Sequence, residues 1–556
     1  MSQMTAGQAV VESLRAEGVQ YVFGIIGGTF QPITNALYNR QDIRFVSTRH
    51  EQGAAFMADG YARASGRPGA CVATPGPGVT NLVTGIYAAH MGHSPVIAMS
   101  GGPIRDLVYR DASQEADHVS IMKSITKHAM TVNKAERIPE LFRHAFRIAM
   151  SGKKGPVFID IPRDLLETRD MEVDLSPPRS YRMHHRPPGD PELVRQAVET
   201  LKQAQRPLII AGGGVKHGDA SEQVAQMADL LSIPMVTTYQ DADAVPNSHP
   251  LYVGSLGNNV ARSSPEAAEL CAQADVILAV GTRLTGLSTG YDNRSIGRNV
   301  KIIQIEIDEK EIGRFYPVVV GIQGDAGAVV QGMLDILRAE GAEGGGAAWP
   351  GEAVALKERR RRRLEAEASS TATPLRAQRV YGEMRKVVPP EAIMVLDAGT
   401  CPGIGFDRLE FHRPRTLIAP GNMAGLGFAF PVALGAKMGR PEAPVIAVHG
   451  DGGFLFNVQE LETAVREKIA TVTIVMNNNE WGSEKLQQLR NYPGQLVGTE
   501  MTNPRLDKLA ELFGARGFYV ERAEEMGEAL KEALASDLPS IIEVPVEPIA
   551  QTVPMS

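Results

Sequence analysis

Cysteine is scarce in this 556-residue chain: only Cys71, Cys271 and Cys401 occur, far apart from one another. With no CxxC pair and no His/Cys metal spacing, a disulfide framework and a zinc module are excluded. Three buried thiols in a reducing compartment are expected instead. No stretch approaches the ~18–20 consecutive apolar residues needed to cross a bilayer. Met1 to Gly18 also lacks the basic flank and continuous apolar run of a secretory signal. Nor is there an excess of positive charge. A formal net charge of −7 implies no basic face for general nucleic-acid binding. A cytoplasmic protein with neither nucleic-acid nor membrane partners is the expectation. The composition is otherwise that of a globular protein, 43% hydrophobic and 22% charged. Its length is too great for one core, so about two to four domains are expected.

Short apolar runs alternate with helical periodicity along the chain. Residues 8–14 have helical spacing, and residues 19–26 read as a strand ending in Gly27-Gly28. Further strands are expected at 43–47, 70–74, 95–100 and 157–161, with a helix over 53–64. This βα rhythm predicts a parallel sheet covered by helices, a first domain over residues 1–175. Residues 162–190 carry several prolines and the polar cluster His184-His185-Arg186, and read as a solvated linker.

A second α/β domain, residues 190–340, opens on an apolar run ending in Gly212-Gly213-Gly214, with later strands at 276–280 and 301–307. The glycine triplet resembles a nucleotide loop but lacks GxGxxG spacing and a following acidic partner. FAD or ADP in this domain is therefore an open option, not a favoured one. Residues 341–375 are Gly/Ala-rich and then charged, with an arginine run at 359–363 between Glu358 and Glu365. An exposed linker helix is expected there. A third α/β domain, residues 376–556, closes with a strand at 540–544.

The most informative stretch is His449-Gly450-Asp451-Gly452-Gly453, followed after a helical segment by Asn477-Asn478-Asn479. Each follows a short apolar run, 444–448 and 471–476, of the kind that forms a buried strand. Asp451 thus stands where a strand ends, and the glycines let backbone N–H groups approach a ligand closely. The second run delivers Asn478 to the same sheet edge. One carboxylate and one amide oxygen, joined by backbone and phosphate oxygens, suit Mg²⁺. A GDG alone is usually a turn, whereas GDG with NN at this spacing is specific.

Residues 450–478 resemble the diphosphate-and-metal motif of thiamine-diphosphate (ThDP) enzymes. The resemblance runs over nearly the whole chain, to the acetolactate synthase and pyruvate oxidase-like group. It implies three consecutive doubly wound parallel-sheet domains: pyrimidine-binding, central and diphosphate-binding. Asp451 and Asn478 would bind the metal through side chains and Glu480 through its backbone carbonyl, with Gly450, Gly452 and Gly453 at the diphosphate. In Thr48-Arg49-His50-Glu51, Glu51 matches the family's activating glutamate, which shuttles a proton through the aminopyrimidine. Read by itself, Glu51 is a helix N-terminal carboxylate favoured by the macrodipole. The run Gly421 to Phe428 matches the segment beneath the bent cofactor, with Leu426 as the wedge and the Ala424 carbonyl facing the amine. Thr74-Pro75-Gly76-Pro77-Gly78-Val79-Thr80-Asn81 resembles the loop over the pyrimidine, making Gly76 and Asn81 contact candidates, with Thr400 a further one. In this group the first domain of one subunit faces the third of its neighbour. A homodimer or homotetramer with active sites at the dimer interface is implied.

Four comparisons bear on the substrate. Ala112-Ser113-Gln114-Glu115 resembles a segment of acetolactate synthases, with Ser113 in place of the aromatic. The run Leu284 to Thr289 lacks the arginine with which those enzymes help hold a second 2-keto acid. The stretch from Asn479 to Lys485 lacks their acceptor-site tryptophan further along. That stretch, together with residues 496–500, 239–244, 281–289 and His93-Ser94-Pro95, resembles sulfoacetaldehyde acetyltransferases. Such enzymes convert sulfoacetaldehyde and phosphate to acetyl phosphate and sulfite. The reaction needs no external oxidant, but it needs a cationic or hydrogen-bonding pocket for the sulfonate and a group to handle protons. Glu484 matches the second acid of related decarboxylases, and Gln114, His93 and Lys485 are candidate anion or proton-handling partners. The alternative is an acetolactate synthase-like carboligase or decarboxylase of 2-keto acids, or a 2-hydroxyacyl lyase. Acetolactate synthases usually carry FAD in the middle domain, and acetyltransferases of the sulfonate type do not.

Overall fold

The computed structural model describes residues 2–182, 185–257, 263–291, 295–342 and 348–549. Among these residues, three six-stranded sheets follow one another along the chain, with the strands parallel in each. The first contains, in chain order, Tyr21–Gly24, Arg44–Ser47, Gly69–Ala73, Val96–Gly102, His128–Thr131 and Val157–Pro162. Across the sheet these lie 2-1-3-4-6-5. Helices cover both faces, so the central strands are apolar throughout rather than alternating. All seven residues of Val96–Gly102 are buried.

The third sheet repeats that order. Its strands are Ile393–Leu396, Leu417–Ile418, Val445–Gly450, Val472–Asn477, Arg516–Tyr519 and Ser540–Pro545. The two domains meet through helices that follow the second strand of each, Glu51–Ser65 and Ala429–Gly439. Bare backbone lets these helices touch. A Cβ on Gly60 would stand 2.1 Å from the Val432 carbonyl oxygen, and one on Gly435 2.0 Å from that of Met57. Phe56 and Phe428 meet edge to face, 5.5 Å between centroids, beside this crossing.

The central sheet is wound differently. Its strands Pro207–Ala211, Met235–Thr238, Tyr252–Leu256, Val276–Val280, Lys301–Glu306 and Val320–Gln323 lie 3-2-1-4-5-6. The connection entering this domain is more ordered than a solvated linker. Met171–Val173 pairs antiparallel with Ser2–Met4, and Arg186 bonds Asp219 at 2.7 Å. His184 lies outside the described residues.

The arginine run also departs from expectation. It belongs to a 21-residue helix, Ala348–Ala368, but one side of that helix is buried. Arg360 is 7% exposed and donates to Asp407 at 2.8 Å. Arg363 bridges Glu266 at 3.0 Å and Asp407 at 2.8 Å. Burial opposes ionisation of Asp407, yet Arg360, Arg363 and Arg408 beside it hold its carboxyl well below the usual range. The helix is thus stapled to the third domain by buried charge, while Arg359, Arg361 and Arg362 are exposed as the pattern predicts. The three cysteines are free and buried as expected, each thiol pushed up to about 12 by desolvation. Among the described residues no helix is long and apolar enough to cross a membrane.

Candidate active site

The carboxyl edge of the first sheet gathers four of the candidate residues. After the strand Arg44–Ser47 the chain turns, and His50 caps the next helix by accepting the Gln52 N–H on Nδ1 at 3.0 Å. Glu51 is the first residue of that helix and is buried. Its Oε2 accepts from the Asn81 amide at 3.0 Å. Gly78 lies beside it, where a Cβ would stand 3.4 Å from Glu51 Oε1. Gly76 has φ +60 and sits against Gln114, whose carbonyl oxygen would be 2.8 Å from a Cβ there. His118, which sequence reasoning did not find, accepts the Gly76 N–H on Nε2 at 2.8 Å. That acceptance puts its proton on Nδ1, which faces Asp160 at 3.3 Å.

The third sheet builds the other half. The strands Val445–Gly450 and Val472–Asn477 are adjacent, with Gly450 opposite Met476, so Asn477 and Asn478 emerge next to Asp451. Asp451 is 2% exposed at the start of the short helix Asp451–Phe454. Burial pushes its carboxyl up to about 6, partly offset by the Asn503 amide at 2.7 Å. Asn503 also reaches Asn479 Oδ1 at 3.1 Å and Asn477 Oδ1 at 3.3 Å, and it is a second residue missed from sequence. Among the described residues no cluster of three or more His, Cys, Asp or Glu could hold a metal. The donors here are all oxygens: one desolvated carboxylate, an amide and a backbone carbonyl. Such a set fits Mg²⁺, which fills its shell with phosphate and water oxygens, and does not fit zinc.

Glu480 leaves only its backbone for such a role. Its carboxylate accepts from Lys485 Nζ at 2.6 Å and from the Ile549 N–H at 3.0 Å. Lys485 is therefore committed to an ion pair, with Glu500 3.5 Å away as a further partner. Glu484 lies exposed in the first turn of the helix Gly482–Asn491. Thr400 Oγ1 is 2.8 Å from Ser483 Oγ, which joins the start of the helix Thr400–Arg408 to that turn. Ala424 has φ +50, and Leu426 follows it half-buried. Gly427, which follows Leu426, is held from both sides. The Gly427 N–H donates to Asp397 at 3.1 Å, and its carbonyl accepts from Asn457 at 2.8 Å.

The glycines divide their roles. A Cβ on Gly452 would stand 2.5 Å from the Trp481 ring, and one on Gly453 2.2 Å from Asp397 Oδ2. Those two are bare because neighbouring side chains pack on them. At Gly450 a Cβ would meet nothing within 4 Å, so this backbone is the one open to a ligand.

His93 is not brought to either edge. It precedes the strand Val96–Gly102 and so lies at the amino edge of the first sheet, opposite Glu51. Its ring is 6.5 Å from that of His217. Burial pushes its pKa well below the usual value, and Arg283 and Lys153 push in the same direction. Both histidines line a cavity of about 1170 Å³ at the carboxyl edge of the central sheet. The strand order reverses there, between Pro207–Ala211 and Val276–Val280, the position where open α/β sheets take nucleotides. The glycine triplet shapes this turn by packing: a Cβ on Gly214 would stand 2.5 Å from the Gly281 Cα. Lys153, Lys154, Arg283 and Arg415 line the cavity together with Asp219, Asp241, Glu306 and Asp325. None of Glu51, Gln114, Asp451 or Asn478 lines it, although Gly421 and Asn422 do.

Residues 4–121, 194–333 and 397–544 match the N-terminal TPP binding, central and C-terminal TPP binding domains of thiamine pyrophosphate enzymes. The chain belongs to the thiamine pyrophosphate enzyme family. This ThDP enzyme is 36% identical to a probable acetolactate synthase large subunit of Methanocaldococcus jannaschii, over 99% of the chain and 93% of that protein. It is 35% identical to the acetolactate synthase large subunit of Corynebacterium glutamicum, over 100% of the chain and 88% of that protein. It is also 35% identical to a sulfoacetaldehyde acetyltransferase of Alcaligenes xylosoxydans xylosoxydans, over 96% of the chain and 90% of that protein. Both kinds of relative span all three domains of this ThDP enzyme.

Proposed function

We propose that this ThDP enzyme is a Mg²⁺-dependent acyl-transfer enzyme whose substrate is sulfoacetaldehyde. Sulfoacetaldehyde and phosphate would give acetyl phosphate and sulfite. Bound ThDP supplies a nucleophilic carbon and an electron sink. The C–S bond takes its electron pair away with sulfite, so no oxidant is required. Asp451, Asn478 and the Glu480 carbonyl would hold the metal, with the Gly450 backbone at the diphosphate. Glu51, buried beside Asn81, would exchange a proton with the aminopyrimidine nitrogen. Leu426 would support the bent cofactor, Gln114 would orient the substrate by hydrogen bonding, and Glu484 would move its protons.

The observation that carries the choice of substrate is the segment after the fourth central strand. Residues 282–289 carry a single cation, Arg283, which lies 4.0 Å from Glu311. Within residues 284–289 no arginine follows it to hold the carboxylate of an acceptor 2-keto acid. The second reading is a carboligase joining two 2-keto acids, favoured by the acetolactate synthases among the relatives.

Self-association completes the proposed site. Glu51 bonds within the first domain and Asp451 within the third. Apolar side chains stand exposed on both: Ile26 and Tyr109 on the first, Phe456 and Val497 on the third, at 55%, 97%, 52% and 78%. A second copy would cover them, as two copies facing first domain to third would do.

The test is incubation with ThDP, Mg²⁺, phosphate and sulfoacetaldehyde, with pyruvate as the parallel donor. Sulfite and acetyl phosphate are expected. Acetolactate from pyruvate with no sulfite would overturn the first reading in favour of the second. The absorption spectrum of the purified protein separates them further, since a flavin band favours the carboligase.

A further inference from the structure

The backbone that presents Glu51 is held by the third domain of the same chain. Glu460 is fully buried, 0% exposed, at the start of the helix Glu460–Arg466, on the stretch of chain that begins with Asp451. Its Oε1 accepts the N–H of His50 at 3.0 Å and of Arg49 at 3.1 Å. Its Oε2 lies 3.2 Å from the Arg49 nitrogen and accepts the Thr463 hydroxyl at 2.6 Å. Gly53 makes room for this approach, because a Cβ there would stand 2.4 Å from Oε1. Neighbouring contacts close the clasp: Arg466 donates to the Ser47 carbonyl, and Arg44 pairs with Glu467 at 3.1 Å. Strand end, turn and helix start, the whole path that delivers Glu51, therefore rest on one helix of another domain.

We infer that Glu460 is a positioning residue for Glu51, fixing the Arg49–His50 peptides and with them the first turn of the helix that carries the catalytic carboxylate. The inference rests on the reading of Glu51 as the proton-exchanging acid. A carboxylate that must meet a ring nitrogen tolerates little displacement, since about 1 Å of misplacement costs roughly 100-fold. In a site shared between copies, Glu51 serves the cofactor anchored by the neighbour. Glu460 then ties each chain's anchoring segment to the acid it lends away. The same stretch carries Asn457, which holds the Gly427 peptide behind Leu426.

The test compares Glu460→Ala, which removes both acceptors, with Glu460→Gln, which keeps a carbonyl oxygen for the two N–H groups. In the protein without ThDP, amide hydrogen exchange at Arg49 and His50 should quicken in Glu460→Ala and stay near wild type in Glu460→Gln. With ThDP and Mg²⁺ bound and no substrate, exchange of the cofactor C2 proton should slow roughly 10–100-fold in Glu460→Ala. It should recover in Glu460→Gln. The double variant with Glu51→Gln should be no slower than Glu51→Gln alone. Wild-type C2 exchange in Glu460→Ala, or losses that multiply in the double variant, would overturn the inference. Should Glu460→Ala fail to fold, Glu460→Asp retracts the carboxylate by one methylene. Slowed C2 exchange in that variant supports the inference, and a wild-type rate overturns it. Wild-type C2 exchange in Glu51→Gln would instead overturn the reading of Glu51, whatever Glu460 does.

Discussion

The first and third domains are one topology used twice, with different chemistry at equivalent places. Both sheets run 2-1-3-4-6-5. After the second strand the first domain presents Glu51, while the third presents Ala424 and Leu426. After the third strand the first domain has the Gly76 loop, while the third has Asp451. The helices that follow the second strands cross on paired glycines, so the two halves are held back to back within one chain. The frame is shared, and the loops at the carboxyl edges decide what each half can hold. The central domain, wound 3-2-1-4-5-6, places its crevice elsewhere and lines it with both cations and carboxylates.

If the halves divide the work as proposed, damage to them should separate cleanly. Asp451→Ala should give the largest effect, abolishing Mg²⁺-dependent ThDP binding by titration calorimetry; retained wild-type affinity would remove Asp451 from the metal site. Glu51→Gln should lower turnover by roughly 10²–10⁴ while ThDP still binds. Unchanged kcat would end its assignment to the proton shuttle.

Smaller effects probe the frame rather than the chemistry. Gly60→Ala and Gly435→Ala each push a Cβ into a backbone carbonyl across the same crossing. Each should cost about 1–3 kcal/mol in denaturant unfolding. A large loss in one with none in the other would show that the crossing is not shared evenly. The smallest effect is expected at the thiols. Cys71 and Cys401, one in each half, should resist thiol reagents at pH 8 in the native protein, because burial holds them up at about 12. Rapid labelling of either would contradict that burial.

Much of this was legible in the sequence where one residue type has one plausible use. The long apolar runs marked the central strands, and the Asp451 and Asn478 spacing marked the sheet edge that brings them together. The short or polar strands His128–Thr131 and Arg516–Tyr519 carry no such run, and their pairing comes from neighbours. Asn503, His118 and Glu460 were not legible because they act on backbone or side chains distant in sequence. Asn503 meets Asp451 across 52 positions and Glu460 meets His50 across 410. His93 was misplaced even though it stands just before the strand expected at 95–100, which puts it at the amino edge, away from Glu51. Arg360 looked solvated because its flanking glutamates are local, whereas its partner Asp407 is 47 residues away.

The most direct measurement of the division between halves is subunit complementation. Glu51→Gln and Asp451→Ala proteins, each inactive, would be mixed, dissociated and reassociated. A mixed dimer contains one site in which both residues are intact. Random pairing should therefore restore about a quarter of wild-type turnover. No restoration, with mixed dimers shown to have formed, would mean that Glu51 and Asp451 serve the same site from one chain, contrary to the account.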